Sequence, residues 1–227
     1  MGAKAPRRTA HRILETALGL FNRLGASHVS TALIAHELGI SEGNLHYHYP
    51  SKDKLISTLF AQYEQSLLTL LPASDGVRDV EDSWFFLHSL FELIWQYRFL
   101  YRDLSELLTR NRWLEEHIQT DIQAQIQAVH TMLDHLRHNG VLHITPGELP
   151  TLAHCLVVVL TYWLSFEYIR DPRRALEPEH GQAALLRGAQ HALGLLAPYL
   201  APRERTHLRQ LQGAYTTAST PTFSHPP

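Results

Sequence analysis

The stretch from Thr31 to Pro50 constrains this 227-residue chain more than any other part of it. It reads TALIAHELGISEGNLHYHYP. Two short helices crossing at a tight turn make three steric demands. The turn needs a residue tolerant of positive φ, the first helix needs a small residue at the crossing, and apolar side chains must lock both helices onto a third. Gly39 supplies the turn, Ala35 the crossing, and Ile34, Leu38, Ile40 and Leu45 the lock. Ser41 is placed to cap the second helix and Ser51 the one after it. Ser41, Glu42, Gly43, Asn44, His46, Tyr47 and His48 are then expected to face outward. Short or stiff hydrogen-bonding groups of this kind suit base edges and phosphates in a major groove. Lys52, at the start of the next helix, is expected to reach a phosphate from outside the groove.

An ordinary helical hairpin that happens to carry polar residues is the alternative, and the distribution of charge weighs against it. The whole chain has a formal net charge of −2. Residues 1–56 hold seven Lys and Arg against four acids, a net of +3, and the remainder carries 13 against 18, a net of −5. Such asymmetry points a positive end at a polyanion.

Helical periodicity runs through the rest, with no long alternating pattern that would make a strand. Residues 1–8 are expected to form a disordered basic arm, in which Lys4, Arg7 and Arg8 could add a DNA contact. Residues 9–56 are expected to form the helix-turn-helix domain, with the fourth helix running on to about residue 71. The breaker cluster PASDGVRDV, from Pro72, opens a helical body over 72–213, and the polar, proline-rich end is expected to be a disordered tail over 214–227. Within the body, helices are expected over Glu81 to about Phe99, Tyr101–Thr109, Asn111–His138, a segment ending near Ile169, and His180–Leu200. Arg203–Leu211 should add a turn or two. The fold class is therefore all-α, a three-helix DNA-binding domain joined to a larger regulatory and dimerisation domain.

The segment Gly43-Asn44-Leu45, followed by His46-Tyr47-His48-Tyr49 and Ser51-Lys52-Asp53-Lys54-Leu55, resembles the signature of the TetR family of transcriptional regulators. Phe21, Gly25, Ile34 and Ala35 fall in register upstream, so the resemblance covers roughly the first quarter of the chain. It implies that Ser30 and Thr31 contact phosphates, that Ser41, Gly43, Asn44, His46, Tyr47 and His48 meet bases or backbone, and that Lys52 anchors a phosphate. His46 stands where the family usually has tyrosine and Glu42 where a basic residue is common. The resemblance also implies a body whose last two helices pair with a second subunit.

Two segments of the body fit that implication. Leu152 to Phe166 is apolar on nearly every side and therefore needs cover all round. At 15 residues it is shorter than the roughly 20 needed to span a bilayer, so a buried helix is expected and no membrane partner. The segment from Gln182 to Leu200 interleaves Ala and Gly with Leu, which permits close helix approach. Leu156, Leu160, Trp163, Leu185, Ala189 and Leu193 are expected at a homodimer interface. Trp84, His88, Trp95, Tyr101, Tyr162 and Phe166 are candidates to line an apolar effector pocket with a few polar tips, with ordinary core as the competing reading.

Other constellations carry less. His130, Asp134 and His138 share a helix face, which reads as a solvated face sooner than a metal site. Cys155 sits among apolar residues and is expected to be a buried, inert thiol. No phosphate-cradling glycine loop or nucleophile elbow occurs, so neither an enzyme nor a cofactor is expected. A single cysteine and a start without a secretion-like apolar stretch fit the cytoplasm. The expected function is a homodimeric repressor that binds a near-palindromic double-stranded operator and leaves it when a small molecule binds. A regulator without such an effector, controlled by a protein partner or acting as an activator, is the alternative.

Overall fold

Side chains at the helix ends fix where the elements begin. In the computed structural model, which describes residues 4–172 and 178–218, α1 (Lys4–Leu24) is followed by α2 (Thr31–Leu38) and α3 (Glu42–His48). Ser30 Oγ accepts from the Leu33 amide and Ser41 Oγ from the Asn44 amide, so each short helix has one of its free N–H groups satisfied. Between them Gly39 adopts φ 66°, and its amide donates back to the carbonyls of Ala35 and His36. Only a residue without a Cβ takes that conformation cheaply, and it sets the angle between the two helices.

Helix α4 (Lys52–Leu70), capped by Ser51, starts in this domain and ends in the body. At 1.5 Å per residue it spans about 28 Å. It packs on α1, on α5 (Val80–Gln96) and on α8 (Arg112–His138). A 3₁₀ turn at Leu71–Gly76 occupies the breaker cluster.

The expected helix through Phe99 stops at Gln96, and two short helices follow: α6 (Arg98–Arg102) and α7 (Leu104–Arg110). The body is completed by α9 (Leu149–Arg170), α10 (Pro178–Gly194) and α11 (Pro202–Ala218). No strand occurs among the described residues, which fits the all-α expectation. A single bridge between Leu142 and Leu200 ties the loop after α8 to the loop before α11.

Two ends differ from expectation. Helix α1 begins at Lys4, within the expected disordered arm. Helix α11 runs to Ala218 after Pro202 at its first position, well beyond a turn or two. Residues 1–3, 173–177 and 219–227, which include the start of the expected arm, most of the loop before α10 and most of the expected tail, lie outside the described residues.

One continuous apolar core runs from Ile13 in α1 to Leu208 in α11. Helix α9 sits at its centre, against α6, α8 and α10. Its length and composition would suffice to cross a membrane, yet half of its most apolar stretch is buried inside the protein. Helix α10 lies across α5 and α9. Gly188 permits that approach, since a Cβ there would fall 2.7 Å from the Phe91 ring and 2.8 Å from Trp163.

Candidate nucleic-acid interface

Helix α3 is held by very little and shows nearly everything else. Leu45 is its one buried residue. Ser41, Glu42, Gly43, Asn44, His46 and Tyr47 are exposed and His48 is half-buried. Tyr47 is 80% exposed, the most exposed large apolar-bodied side chain in the described protein, and its ring meets His48 edge-on at 5.1 Å. The end of the helix is fixed by Tyr49, which is buried and whose hydroxyl donates to the Ala10 carbonyl of α1 at 3.3 Å. Burial also holds the Tyr49 hydroxyl above its ordinary pKa, so it stays a donor. His46 Nδ1 lies 3.2 Å from the Pro50 carbonyl, which orients that ring at the helix end. Polar groups left in water on a helix anchored this firmly form a preorganised reading surface.

Ser30 and Thr31 open α2 at its exposed end. Lys52 opens α4. Its Nζ donates to the Ala26 carbonyl at 2.7 Å, so the ammonium braces α4 against the loop between α1 and α2.

Behind this surface the body grips the DNA-binding domain through α6. Asn22 donates from Nδ2 to the Gln96 carbonyl at 2.8 Å and accepts at Oδ1 from the Phe99 amide at 3.0 Å. Asp103 accepts from the Ala26 amide at 2.7 Å, and Arg102, paired with Asp103 at 2.8 Å, donates to the Phe21 carbonyl at 3.3 Å. The other face of α6 turns inward. There the Tyr101 hydroxyl bonds the Tyr63 hydroxyl of α4, both rings buried, and Ser165 of α9 donates to the Tyr101 carbonyl. One short helix thus touches the DNA-binding domain on one side and the centre of the body on the other.

The six candidate pocket residues do not come together. Trp84 is buried and stacks on His88 at 5.7 Å. Trp95 lies under the Arg98 guanidinium at 4.4 Å, and Tyr101 joins the tyrosine pair. Burial, with help from neighbouring Arg102, lowers the Arg98 pKa to about 10, which leaves it charged. Tyr162 and Phe166 are 57% and 50% exposed on the outer face of α9.

The expected interface residues require a correction. Leu156, Leu160, Ala189 and Leu193 are fully buried within one chain, and Leu185 and Trp163 are 6% exposed. They hold α9 and α10 to their own core, and Trp163 Nε1 donates to the Ala184 carbonyl at 2.8 Å. The outward stripe of α9 is instead Val158, Tyr162, Phe166 and Ile169, and the first three, with His191 of α10 and Leu195 just beyond it, border an open groove of about 400 Å³. Cys155 lies on the exposed side too, contrary to the expected buried thiol. A helix apolar all round announces that it is covered but not which side its own chain covers.

Sequence reading missed Asp121 and Gln125. They interrupt the buried stripe Leu114, Ile118, Ala128, Val129 and Met132 of α8, and both are 2% exposed. Polar residues at two successive core positions of an amphipathic helix were the available signal. On the same helix, Asp134 is engaged by Arg137 at 2.9 Å and His138 at 3.3 Å. Among the described residues no group of three His, Cys, Asp or Glu side chains could hold a metal ion.

Comparison with known proteins agrees with this arrangement. Residues 13–59 match the model of the bacterial regulatory proteins of the tetR family, and residues 62–208 match that of the TetR bacterial transcriptional repressors. Among curated proteins, the nucleoid occlusion factor SlmA of Haemophilus ducreyi is 35% identical over 75 residues, covering 33% of this chain and 37% of that one. The SlmA of Haemophilus influenzae is 28% identical over 107 residues, 47% of each chain. The chain thus spans less than half the length of these curated relatives. Among solved structures, a TetR-family regulator from Marinobacter aquaeolei superposes with a TM-score of 0.77 at 28% identity, over 91% of this chain and 98% of that one. The SmeT–triclosan complex shares the fold, with a TM-score of 0.58 at 20% identity over 86% and 93%. SmeT is described as the repressor of a Stenotrophomonas maltophilia multidrug efflux pump. With a helix-turn-helix at one end and the repressor body matched over most of the remainder, this chain belongs to the TetR family and is a DNA-binding transcriptional regulator, not an enzyme.

Proposed function

We propose that the protein is a cytoplasmic homodimeric repressor that reads a near-palindromic operator and releases it when a small molecule binds in its body. The observation that carries this reading is α6. Phe99 and Arg102 of α6 and the adjoining Asp103 hold Asn22 and Phe21 of α1 and Ala26 just after it, while Tyr101 reaches the buried interior. A ligand that favours a different position of Tyr101 would displace the end of α1 and with it the spacing of two α3 helices in a dimer. Binding must differ between the two geometries for this to occur, and the coupling then acts in both directions.

In this reading Ser41, Gly43, Asn44, His46, Tyr47 and His48 meet base edges and nearby backbone, and Ser30 and Thr31 meet phosphates at the start of α2. Lys52 acts chiefly by holding the domain in shape. A second copy docks on the outer stripe of α9, since exposed Val158, Tyr162, Phe166 and Ile169 form an apolar patch that water does not favour. Pairing there would present two α3 helices to successive major grooves, about 34–36 Å apart. The bound triclosan of SmeT supports a small-molecule effector. The partial similarity to nucleoid occlusion factors favours the second reading, control by a protein partner.

Selection from a random duplex library, followed by footprinting, tests the core of the proposal. Two half-sites protected one helical turn apart, or a multiple of it, are expected. No preferred sequence at low ionic strength would overturn it.

A further inference from the structure

The stripe that α8 turns toward Tyr63 and Tyr101 carries a polar row. His117, Asp121 and Gln125 follow one another at intervals of four residues, from a half-buried position at the outer end to the interior. Asp121 Oδ2 and Gln125 Oε1 are buried and have no hydrogen-bond partner. Unmade buried acceptors are unfavourable, and two of them side by side call for a donor. The surroundings are aromatic. Tyr63 meets Tyr101, Tyr97 and Phe60 at ring distances of 5.7–5.9 Å, and Phe60 meets Trp113 edge-on at 5.7 Å. Trp113, 39% exposed, packs on His117 at 4.0 Å and stands between this cluster and solvent.

We infer that this cluster is the effector site and that it takes a protonated amine carried on an aromatic or other apolar body, with the ammonium donating to Asp121 Oδ2 and Gln125 Oε1. The inference rests on the effector reading above and gives it a ligand class. A carboxylate, an amide oxygen and the faces of several rings together favour a compact cation over an anion or a neutral group. The charge of the site agrees. Burial pushes the Asp121 carboxyl up to about 7, with Glu64 of α4 adding to the rise and His117 opposing it. Tyr63 and Tyr101 are raised by burial and stay neutral. Below pH 7 Asp121 therefore holds a proton, and an ammonium must displace it. The location also fits the output, because Tyr101 is part of α6, the helix that grips α1.

The probes are 2-phenylethylamine and its neutral counterpart 2-phenylethanol, titrated calorimetrically into the full chain. At pH 8 the amine should bind at least tenfold more tightly than the alcohol, and Asp121→Asn should erase that preference. Between pH 6 and pH 8 the amine affinity of the unaltered protein should rise about tenfold, as a group with pKa about 7 goes from mostly protonated to mostly ionised. The same rise should survive in His117→Gln, which separates Asp121 from repulsion by a protonated histidine. Equal binding of amine and alcohol, no binding of either, or an affinity flat with pH overturns the inference. The pH series needs no substitution, so it stands even if Asp121→Asn fails to fold. A chain that selects a DNA site but ignores the amine loses this inference and keeps the regulator reading. Binding of the amine with the stated preference supports the site even if the DNA complex persists, and only the release step is then lost.

Discussion

Helices α3 and α9 both face outward, and they do so for opposite reasons. The seven residues of α3 bury one leucine and leave polar groups in water, where leaving them costs nothing. The 22 residues of α9 bury ten side chains and still show Val158, Tyr162, Phe166 and Ile169. Exposed polar groups on a rigid helix can wait for a partner indefinitely, whereas an exposed apolar stripe is stable only when covered. The first surface therefore suits reversible reading of DNA, and the second suits a lasting contact with another copy.

That contrast can be broken most decisively at Tyr162. Tyr162→Glu should weaken self-association by about 2–4 kcal/mol, roughly a hundredfold, because it places charge at the centre of the docked stripe. The monomer should stay folded, since the residue is 57% exposed. Sedimentation and circular dichroism check both halves, and an unchanged dimer would refute the assigned face. Tyr47→Ala comes next. It should cost about 1–3 kcal/mol in operator affinity, with Tm unchanged, because Tyr47 holds no part of the core. Lys52→Ala sharpens the comparison by a smaller amount. Losing its bond to Ala26 should remove about 1 kcal/mol of stability, seen as a lower Tm, with DNA binding weakened as a consequence.

A separate test concerns pH. Asp121 has a pKa raised above its unfolded value of 3.8 to about 7, so folding favours its protonated form. Its stabilising contribution is complete below about pH 4 and is lost as pH rises through about 7. Asp121→Asn should flatten that part of the stability curve, measured by thermal melts between pH 4 and pH 8. A variant whose melts track the unaltered protein across that range would show that Asp121 is not desolvated.

What could be read in advance followed from how local each signal is. The caps at Ser41 and Ser51 and the turn at Gly39 are decided within four residues, and all three stand where the sequence placed them. The outward face of α3 was legible for the same reason. The inner and outer sides of α9 were not, because its apolar residues are distributed all round and only the packing of α8 and α10 chooses between them. The bond made by Lys52 was not legible for a related reason. The position of Lys52 beside α3 suggested a phosphate, while the Ala26 carbonyl that captures it lies 26 residues earlier. Asp121 and Gln125 were visible as interruptions of an apolar stripe, but their meaning depends on Tyr63 and Tyr101 arriving from two other helices.

The grip of α6 on α1 has a consequence for how such a chain can diverge. Of the atoms it engages, the Phe21 and Gln96 carbonyls and the Ala26 and Phe99 amides all belong to the main chain. Main-chain atoms are common to every residue type, so side chains at those four places can change while the mechanical linkage persists. Under the proposed function, new operators can accordingly arise through substitutions on α3, and new ligands through substitutions in the body, with neither change having to reinvent the joint between them.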